Sequence, residues 1–445
     1  MDLRLRAPKA LHGTIRLPAS KSISNRMLLL RVLSGGKIAL HNISDCDDTR
    51  AMELGVRSEK IVNSKLSNSK CIDVGAAGTA MRFLTAYFAS TPCDVVITGS
   101  ERMRHRPIGV LVEALRSLGA DISYEGEEGF PPLHIKGRPL DGGTLRMAGS
   151  VSSQYVSALL MVAPTMRQGL TLTLEGDIIS RPYINMTVSL MRRFGITVEE
   201  PDDTTFRVAP GEYSGSDYTI ENDWSAASYW YEMLALADEG EVVLEGLFED
   251  SLQGDSCVRH LFEPLGVSTE FNERGAVIQK KDPPLYPSLV WRGVYADFPD
   301  LWHSPYTGER GGGLGLSLSE CPDLAQTMVA TCCGMGVPFR FSGLQSLRIK
   351  ETDRLLALRQ ELGKLGYDVR EEEDGVLESS LLTPHSSLLT PNSIATYDDH
   401  RMAMCMAPLA ILHDGLVIND AQVVSKSYPT FWEDLKSVGY AIEQL

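Results

Sequence analysis

The chain contains no CxxC pair, no HExxH and no other paired histidine spacing, so its sequence supports neither a disulfide framework nor a metal site. Its eight cysteines are scattered, with only Cys332 and Cys333 adjacent, and read as buried reduced thiols. GxGxxG and GxxxxGK(S/T) are both missing, which removes the two commonest nucleotide signatures. No stretch reaches the roughly 18 uninterrupted apolar residues of a membrane span. The opening MDLRLRAPKALHG lacks the apolar core of a secretory signal, so a cytoplasmic protein is expected. Positive charge is scarce as well. Lys and Arg number 42 against 58 Asp and Glu, a net charge of −16, the opposite of the basic footprint of a nucleic-acid or anionic-membrane binder. An anionic small substrate stays open, because a local cationic cleft can reverse the field. What is present, 43% hydrophobic and 22% charged residues over 445 positions, is ordinary globular material for two large domains.

Repetition decides the architecture. An amphipathic stretch, a glycine and an alternating run recur around Gly119, Gly195, Gly266, Gly366 and Gly439, at spacings of 76, 71, 100 and 73 residues. Glycine just past a helix is the expected cap, because it accepts positive φ without a Cβ clash. A shortened sixth copy is read around Gly55. A second pattern interleaves with the first. Six polar or small starts (SKSISNRMLLL, GAAGTAMRFLTA, SVSSQYVSALLM, DWSAASYWYEML, CPDLAQTMVATC and DDHRMAMCMAPL) each open a run that is apolar nearly all round. Such a helix is a buried one. Strands follow at 95–99, 172–176, 242–246 and 339–343. Each unit therefore reads as buried helix, strand, surface helix, strand, and six units imply two similar α/β domains. The boundary is expected near 219–223. Segments 283–287 and 308–315 read as insertions, the glycine-rich one as a loop rather than a phosphate cradle, and 376–393 as an irregular connection.

Functional candidates gather at helix starts. Ser20, Lys21, Ser22, Ser24, Asn25 and Arg26 precede MLLL, and a helix N-terminus with Lys21 as point charge and Arg26 as bidentate fork makes an anion site. Alone, the segment reads equally as a serine cap with solvated cations. Gly75-Ala-Ala-Gly78-Thr79 exposes bare backbone, with Arg82 a turn later. Ser152, Ser153 and Gln154 open the third helix, and Asp399, His400 and Arg401 the sixth, where so apolar a run leaves the polar groups needing partners. Four loops at matching repeat positions add a ring: Arg102-Met-Arg104-His-Arg106, Ser180-Arg181-Pro-Tyr183, Lys350-Glu351-Thr-Asp353-Arg354 and Ser425-Lys426-Ser-Tyr428. Lys350 and Arg354, four apart, are expected on one helix face. Together the loops point to a polyanion-binding cleft.

These motifs resemble the 5-enolpyruvylshikimate-3-phosphate synthase family. The match runs through LPASKSISNR (17–26), GAAGTAMR (75–82), ERMRHRPIG (101–109), SSQYVSALLM (152–161) and ISRPYINMT (179–187). It continues through PDLAQTM (322–328), RIKETDRL (348–355), IATYDDHRMAM (394–404) and SKSYPTF (425–431). The resemblance implies an α/β fold of two similar domains, each of three βαβαββ-type repeats, with a cleft between them. Residues 1–13 are then expected to join 222–445, with 19–219 as the other domain and hinges near 14–19 and 219–223. It implies transfer of the enolpyruvyl group of phosphoenolpyruvate to the 5-hydroxyl of shikimate 3-phosphate, through a tetrahedral intermediate that loses phosphate, on the way to chorismate and aromatic amino acids. No metal or organic cofactor is implied, and a monomer is expected.

Carried over by position, the shikimate 3-phosphate contacts are Lys21, Ser22, Arg26, Ser152, Ser153, Gln154, Ser180, Tyr183, Asp323, Ser346 and Lys350. Those to phosphoenolpyruvate are Lys21, Gly78, Arg102, Gln154, Arg354, Arg401 and Lys426. Asp323 is the expected base for the attacking hydroxyl and Glu351 the proton carrier at the methylene carbon, with Lys21 or Lys426 assisting. The family pattern is departed from at Ala76, Phe83, Trp224 and Ser346, and in a first unit shortened around 51–70. Three other readings compete. A UDP-N-acetylglucosamine enolpyruvyltransferase carries a reactive loop cysteine, a position that neither Cys71 nor Cys93 is read to fill. An RNA 3′-phosphate cyclase-like protein fits poorly with a charge of −16. A catalytically dead sugar-phosphate-binding regulator conflicts with the intact Lys21, Asp323, Glu351, Arg401 and Lys426.

Overall fold

The computed structural model describes residues 1–57, 70–281, 313–379 and 393–445. Two compact units divide the chain, one of Ala19–Ile220 and one of Met1–Pro18 with Glu221–Leu445. The segment 283–287, most of 308–315 and most of 376–393 fall outside the described residues, as does most of the shortened stretch after residue 57. Residues Val376–Ser379, at the start of the expected irregular connection, instead form a strand.

One motif recurs in both units. Strands Lys70–Asp73 and Cys93–Thr98 run parallel, because the helix Gly78–Ser90 carries the chain back between them. The surface helix Gly109–Ser117 then leads into the antiparallel strands Asp121–Tyr124 and Leu133–Gly137, completing a four-stranded sheet. The same order builds a second sheet in the Ala19–Ile220 unit from Gly143–Ala148, Leu170–Glu175, Val198–Asp202 and Thr205–Val208. In the other unit it builds Leu314–Ser317, Phe339–Ser342, Arg370–Glu373 and Val376–Ser379.

The chain's first strands complete two more sheets. Ala10–Arg16 pairs in parallel with Glu239–Glu245, and Leu3–Arg6 lies antiparallel between Leu416–Ile418 and Ala441–Gln444. Thus the strand that opens the fourth repeat is separated from its own helix by the whole Ala19–Ile220 unit. That unit likewise ends on Asp217–Thr219, which pairs in parallel with Ala39–His41 near its start.

All six polar starts open helices: Lys21–Leu33, Gly78–Ser90, Ser153–Val162, Trp224–Leu236, Ala325–Met335 and His400–Met406. Four are capped by a side chain of the start itself, from Ser20, Ser152, Asp223 and Asp399. Burial follows the apolar pattern closely. Every residue of Trp224–Leu236 except Ser225 is buried. Trp224, where the family is usually small, is accommodated because its indole Nε1 donates to Glu221 Oε1 at 2.8 Å.

The five repeat glycines all take φ between +83° and +105°, as helix-ending glycines should. Gly55 does not. It lies inside the helix Asp47–Arg57, where a Cβ would come within 2.2 Å of Leu84 Cδ1, so close packing rather than helix termination requires glycine there. The helix read around it exists, but its C-terminal glycine signal does not. No helix among the described residues is long and apolar enough to cross a membrane.

Candidate active site

Each unit carries one polar cluster, built by its buried-helix starts and the loops beside them. In the Ala19–Ile220 unit, Lys21 opens its helix and reaches Asp48 Oδ2 at 3.4 Å, with only 15% of its side chain exposed. Arg26 is fully committed to the protein. Its Nε donates to Thr187 Oγ1 (2.7 Å), Nη1 to Ser22 O (2.9 Å) and Nη2 to both Ser157 Oγ (3.2 Å) and Tyr183 O (3.1 Å). Burial pulls its guanidinium down to about 10, with Tyr183 opposing. Arg26 thereby ties together three helices, Lys21–Leu33, Ser153–Val162 and Arg181–Arg193.

Ser152 caps its helix by accepting from Gln154 N at 3.4 Å, and Gln154 Nε2 donates to Thr79 Oγ1 at 3.1 Å, so the second and third helix starts touch. Ser153 and Tyr183 are half-buried, and Arg102 is exposed. Ser180 sits at the head of Arg181–Arg193 with φ +57°, a left-handed conformation that costs a non-glycine residue energy and is concentrated at functional sites. Gly78 begins its helix behind Ala77, which offers no side-chain cap.

The second cluster centres on Asp323, in the turn Pro322–Leu324 before the Ala325–Met335 helix. Arg401 Nη2 lies 2.9 Å from its Oδ2, Arg354 Nη1 3.2 Å from its Oδ1, and Lys350 Nζ 3.7 Å from that same oxygen. Three cations therefore face one carboxylate. Arg354, with 2% of its side chain exposed, also donates Nη2 to Glu351 Oε2 at 2.9 Å and Nε to Asp399 Oδ2 at 2.7 Å. Burial pulls its guanidinium down, but Asp399, Glu351 and Asp323 outweigh burial and hold it well above the ordinary range. For Lys350 the balance falls the other way. Asp323 raises its ammonium, yet burial and the charges of Arg354 and Arg401 leave it lowered overall.

Lys350 and Arg354 do not share a helix face. Lys350 is extended, after the Gln345–Ile349 turn, while Arg354 is the first residue of the Arg354–Lys364 helix. They meet through Asp323 instead. Tyr397 and Asp398 both take positive φ just before Asp399 caps His400–Met406, a strained turn that presents Arg401. Lys426 donates to the carbonyl of that same Asp398. The Ser346 hydroxyl is buried without a hydrogen-bond partner among the described residues, a group that still needs one.

Two participants carried no sequence signal. Asp255 sits beside Asp323, accepting a short hydrogen bond from Ser225 Oγ, which also lies 3.4 Å from Arg401 Nη2. Burial and Asp323 push its carboxyl up to about 6, against Arg401 and Ser225. Asp48 is the second, the partner of Lys21. Nothing in the local pattern at either position announces a contact made by folding. A group of three or more His, Cys, Asp or Glu able to hold a metal ion does not occur among the described residues. Cys71 is exposed but lies on the strand Lys70–Asp73, and Cys93 starts the strand beside it.

The cluster around Asp323 can take a proton from a hydroxyl while its cations neutralise phosphate and carboxylate oxygens. Known proteins agree along the whole chain. The family model for EPSP synthase (3-phosphoshikimate 1-carboxyvinyltransferase) matches residues 5–435. A protein of Bacteroides fragilis named 3-phosphoshikimate 1-carboxyvinyltransferase is 47% identical over 443 residues, covering 100% of this chain and 99% of its own. One of the same name from Shewanella pealeana is 35% identical, covering 99% and 100%. Among solved structures, an EPSP synthase from Acinetobacter baumannii shares the fold with a TM-score of 0.73 at 21% identity, each chain covered fully. With the family model matched over residues 5–435 and a relative 47% identical over the full length, the chain belongs to the EPSP synthase family.

Proposed function

We infer that the protein transfers the carboxyvinyl group of phosphoenolpyruvate to the 5-hydroxyl of shikimate 3-phosphate and releases phosphate. The observation that carries this reading is the full-length match to relatives named for that activity. The Asp323 cluster supports it chemically. Asp323 is the base that takes the proton of the attacking hydroxyl, and Arg354, Arg401 and Lys350 lie 2.9–3.7 Å from its carboxylate oxygens. Glu351, held by Arg354, carries the proton to and from the methylene carbon, with Lys21 or Lys426 assisting. As the hydroxyl oxygen bonds to the central carbon, the methylene carbon gains a proton. In the second half, that carbon returns one as the C–O bond to phosphate breaks.

Shikimate 3-phosphate is assigned to Lys21, Ser22, Arg26, Ser152, Ser153, Gln154, Ser180, Tyr183, Asp323, Ser346 and Lys350, with Arg26 mainly fixing the helices that carry the others. Phosphoenolpyruvate is assigned to Lys21, Gly78, Arg102, Gln154, Arg354, Arg401 and Lys426. The same reading makes 14–19 and 219–223 hinges between 19–219 and the body of 1–13 with 222–445, and the protein a cytoplasmic monomer. A phosphate-release assay tests the function. Release must require both substrates together, and Glu351→Gln must lower kcat about 10²–10⁴-fold with substrate KM values little changed. No release with both substrates, or equal release with UDP-N-acetylglucosamine as acceptor, would refute it.

A further inference from the structure

Two of the eight cysteines meet thiol to thiol. Cys321 hydrogen-bonds to Cys257 through their sulfurs, although the two belong to segments far apart in the chain. Both thiols are free and buried, Cys257 at 8% exposure and Cys321 at 1%. Cys257 ends the turn Gly254–Cys257, Cys321 precedes the turn Pro322–Leu324, and both turns pack on the buried helix Trp224–Leu236. Cys332 and Cys333, by contrast, are neighbours on one helix, Ala325–Met335, where successive side chains do not face each other.

The Cys257–Cys321 pair is joined to the Asp323 cluster from both sides. Asp255, two residues before Cys257, accepts from Ser225 Oγ, which lies 3.4 Å from Arg401 Nη2. Asp323, two residues after Cys321, lies 2.9 Å from that same nitrogen. Backbone bonds stiffen each segment. Leu324 N donates to Cys321 O at 3.0 Å across the turn that carries Asp323, and Ser256 N donates to Gln253 O at 3.0 Å across the one that carries Asp255. The Cys257 hydrogen bond, then burial, then the charges of Cys257, Asp255 and Glu320 hold the Cys321 thiol well above its ordinary range. Cys321 therefore keeps its proton, and Cys257, the more exposed sulfur, is the one to meet an oxidant first.

We propose that Cys257 and Cys321 form a reversible disulfide whose closure displaces the Asp323 turn and lowers turnover, an effect that rests on the role inferred for Asp323 above. With hydrogen peroxide as oxidant, the Cys257 sulfur bonds to one peroxide oxygen, the O–O bond breaks, and the hydroxide released takes the Cys257 proton as water. The Cys321 sulfur then attacks the sulfenic sulfur, and the hydroxyl leaves with the Cys321 proton as a second water. Two thiols lose two electrons and the peroxide gains them. A dithiol reductant reverses the change by exchange. Bonded sulfurs lie about 2.05 Å apart, closer than hydrogen-bonded ones, so the two segments must move as the bond forms. A close-packed interior transmits that movement to Asp323 instead of absorbing it.

The full chain, reduced and then treated with hydrogen peroxide, tests the pair. Non-reducing peptide mapping by mass spectrometry should find Cys257 and Cys321 joined with the loss of two hydrogens. In parallel kcat should fall on the order of 10²-fold, the effect of a displacement of about 1 Å at a reacting group, and return with dithiothreitol. Cys257→Ala and Cys321→Ala should each keep the kcat of the reduced chain and lose the reversible inactivation. Cys257→Ala, nearer the surface, carries the test alone if Cys321→Ala fails to fold. Cys71→Ala, which removes an exposed thiol of the Ala19–Ile220 unit, should be inactivated as the native chain is. Reversible inactivation that survives in Cys257→Ala would overturn the proposal, as would a mapped disulfide that leaves kcat unchanged or a treated chain with both thiols still free. A reduced native chain that releases no phosphate from the two substrates would sink the inferred function instead, and the peptide map would still decide the disulfide.

Discussion

Asp399 is the residue whose removal should be felt most widely in the Asp323 cluster. It is fully buried, its Oδ2 accepts from Arg354 Nε at 2.7 Å, and its Oδ1 accepts from Arg354 Nη2 at 3.3 Å and from Arg401 N at 2.9 Å. Asp399→Asn keeps Oδ1, and with it the cap on His400–Met406, but turns an N–H donor toward the Arg354 Nε–H. Breaking a buried pair from one side costs about 3–5 kcal/mol. Glu351 and Asp323 still hold Arg354, which places the expected loss near the lower end, about 3 kcal/mol. Asp399→Ala removes the cap as well and should cost about 1 kcal/mol more. Urea unfolding gives both numbers, and steady-state kinetics should show the phosphoenolpyruvate KM rising more than that for shikimate 3-phosphate, because Arg354 and Arg401 lose their common anchor. A loss below about 0.5 kcal/mol for Asp399→Asn, the range of ordinary surface changes, would refute the view that this carboxylate organises the two arginines.

Three further outcomes are expected. Glu232 is fully buried without a hydrogen-bond partner for either oxygen among the described residues, and burial holds its carboxyl well above the ordinary range. Its neutral form is native-like below pH about 4.5, and stability is lost as pH rises from there toward the raised value, so Glu232→Gln should flatten the pH–stability curve and gain most on the alkaline side. Matching curves for the two chains between pH 5 and 9 would count against it. Asp255, at about 6, becomes charged beside Asp323 across the acid limb of the rate profile, so Asp255→Asn should move that limb of kcat/KM to lower pH. A limb that stays put would separate Asp255 from the base. Gly55→Ala should destabilise by about 1–3 kcal/mol, because the new methyl must displace the fully buried Leu84, and a neutral effect by calorimetry would contradict the packing described.

Much of the architecture was legible because the repeat is written locally. A helix apolar on all sides and a glycine past its end are properties of ten or so consecutive residues, and all six helix starts and five positive-φ glycines followed from them. Gly55 misled for the same reason. In isolation it has the look of a helix end, and only the Leu84 side chain arriving from another helix shows why glycine stands there. Lys350 and Arg354 misled by spacing, since a four-residue interval implies a shared face only if the helix has already begun, and it begins at Arg354.

The site divides along the same line. Which residues are candidates for the chemistry was set by the sequence itself, in helix starts whose polar groups lead into apolar runs and so require partners. Which partner each one has was decided by the tertiary structure alone. Arg354 meets Asp399 across 45 positions and Asp323 across 31, Arg26 meets Thr187 across 161, and Lys21 finds Asp48 on the neighbouring helix. Arg106 and Arg354 look alike as sequence, each an arginine in a charged loop beside a helix. Folding answers one with three carboxylates and leaves the other facing a bare helix start, because electrostatic pairing depends on distances within a few ångströms that no local pattern encodes.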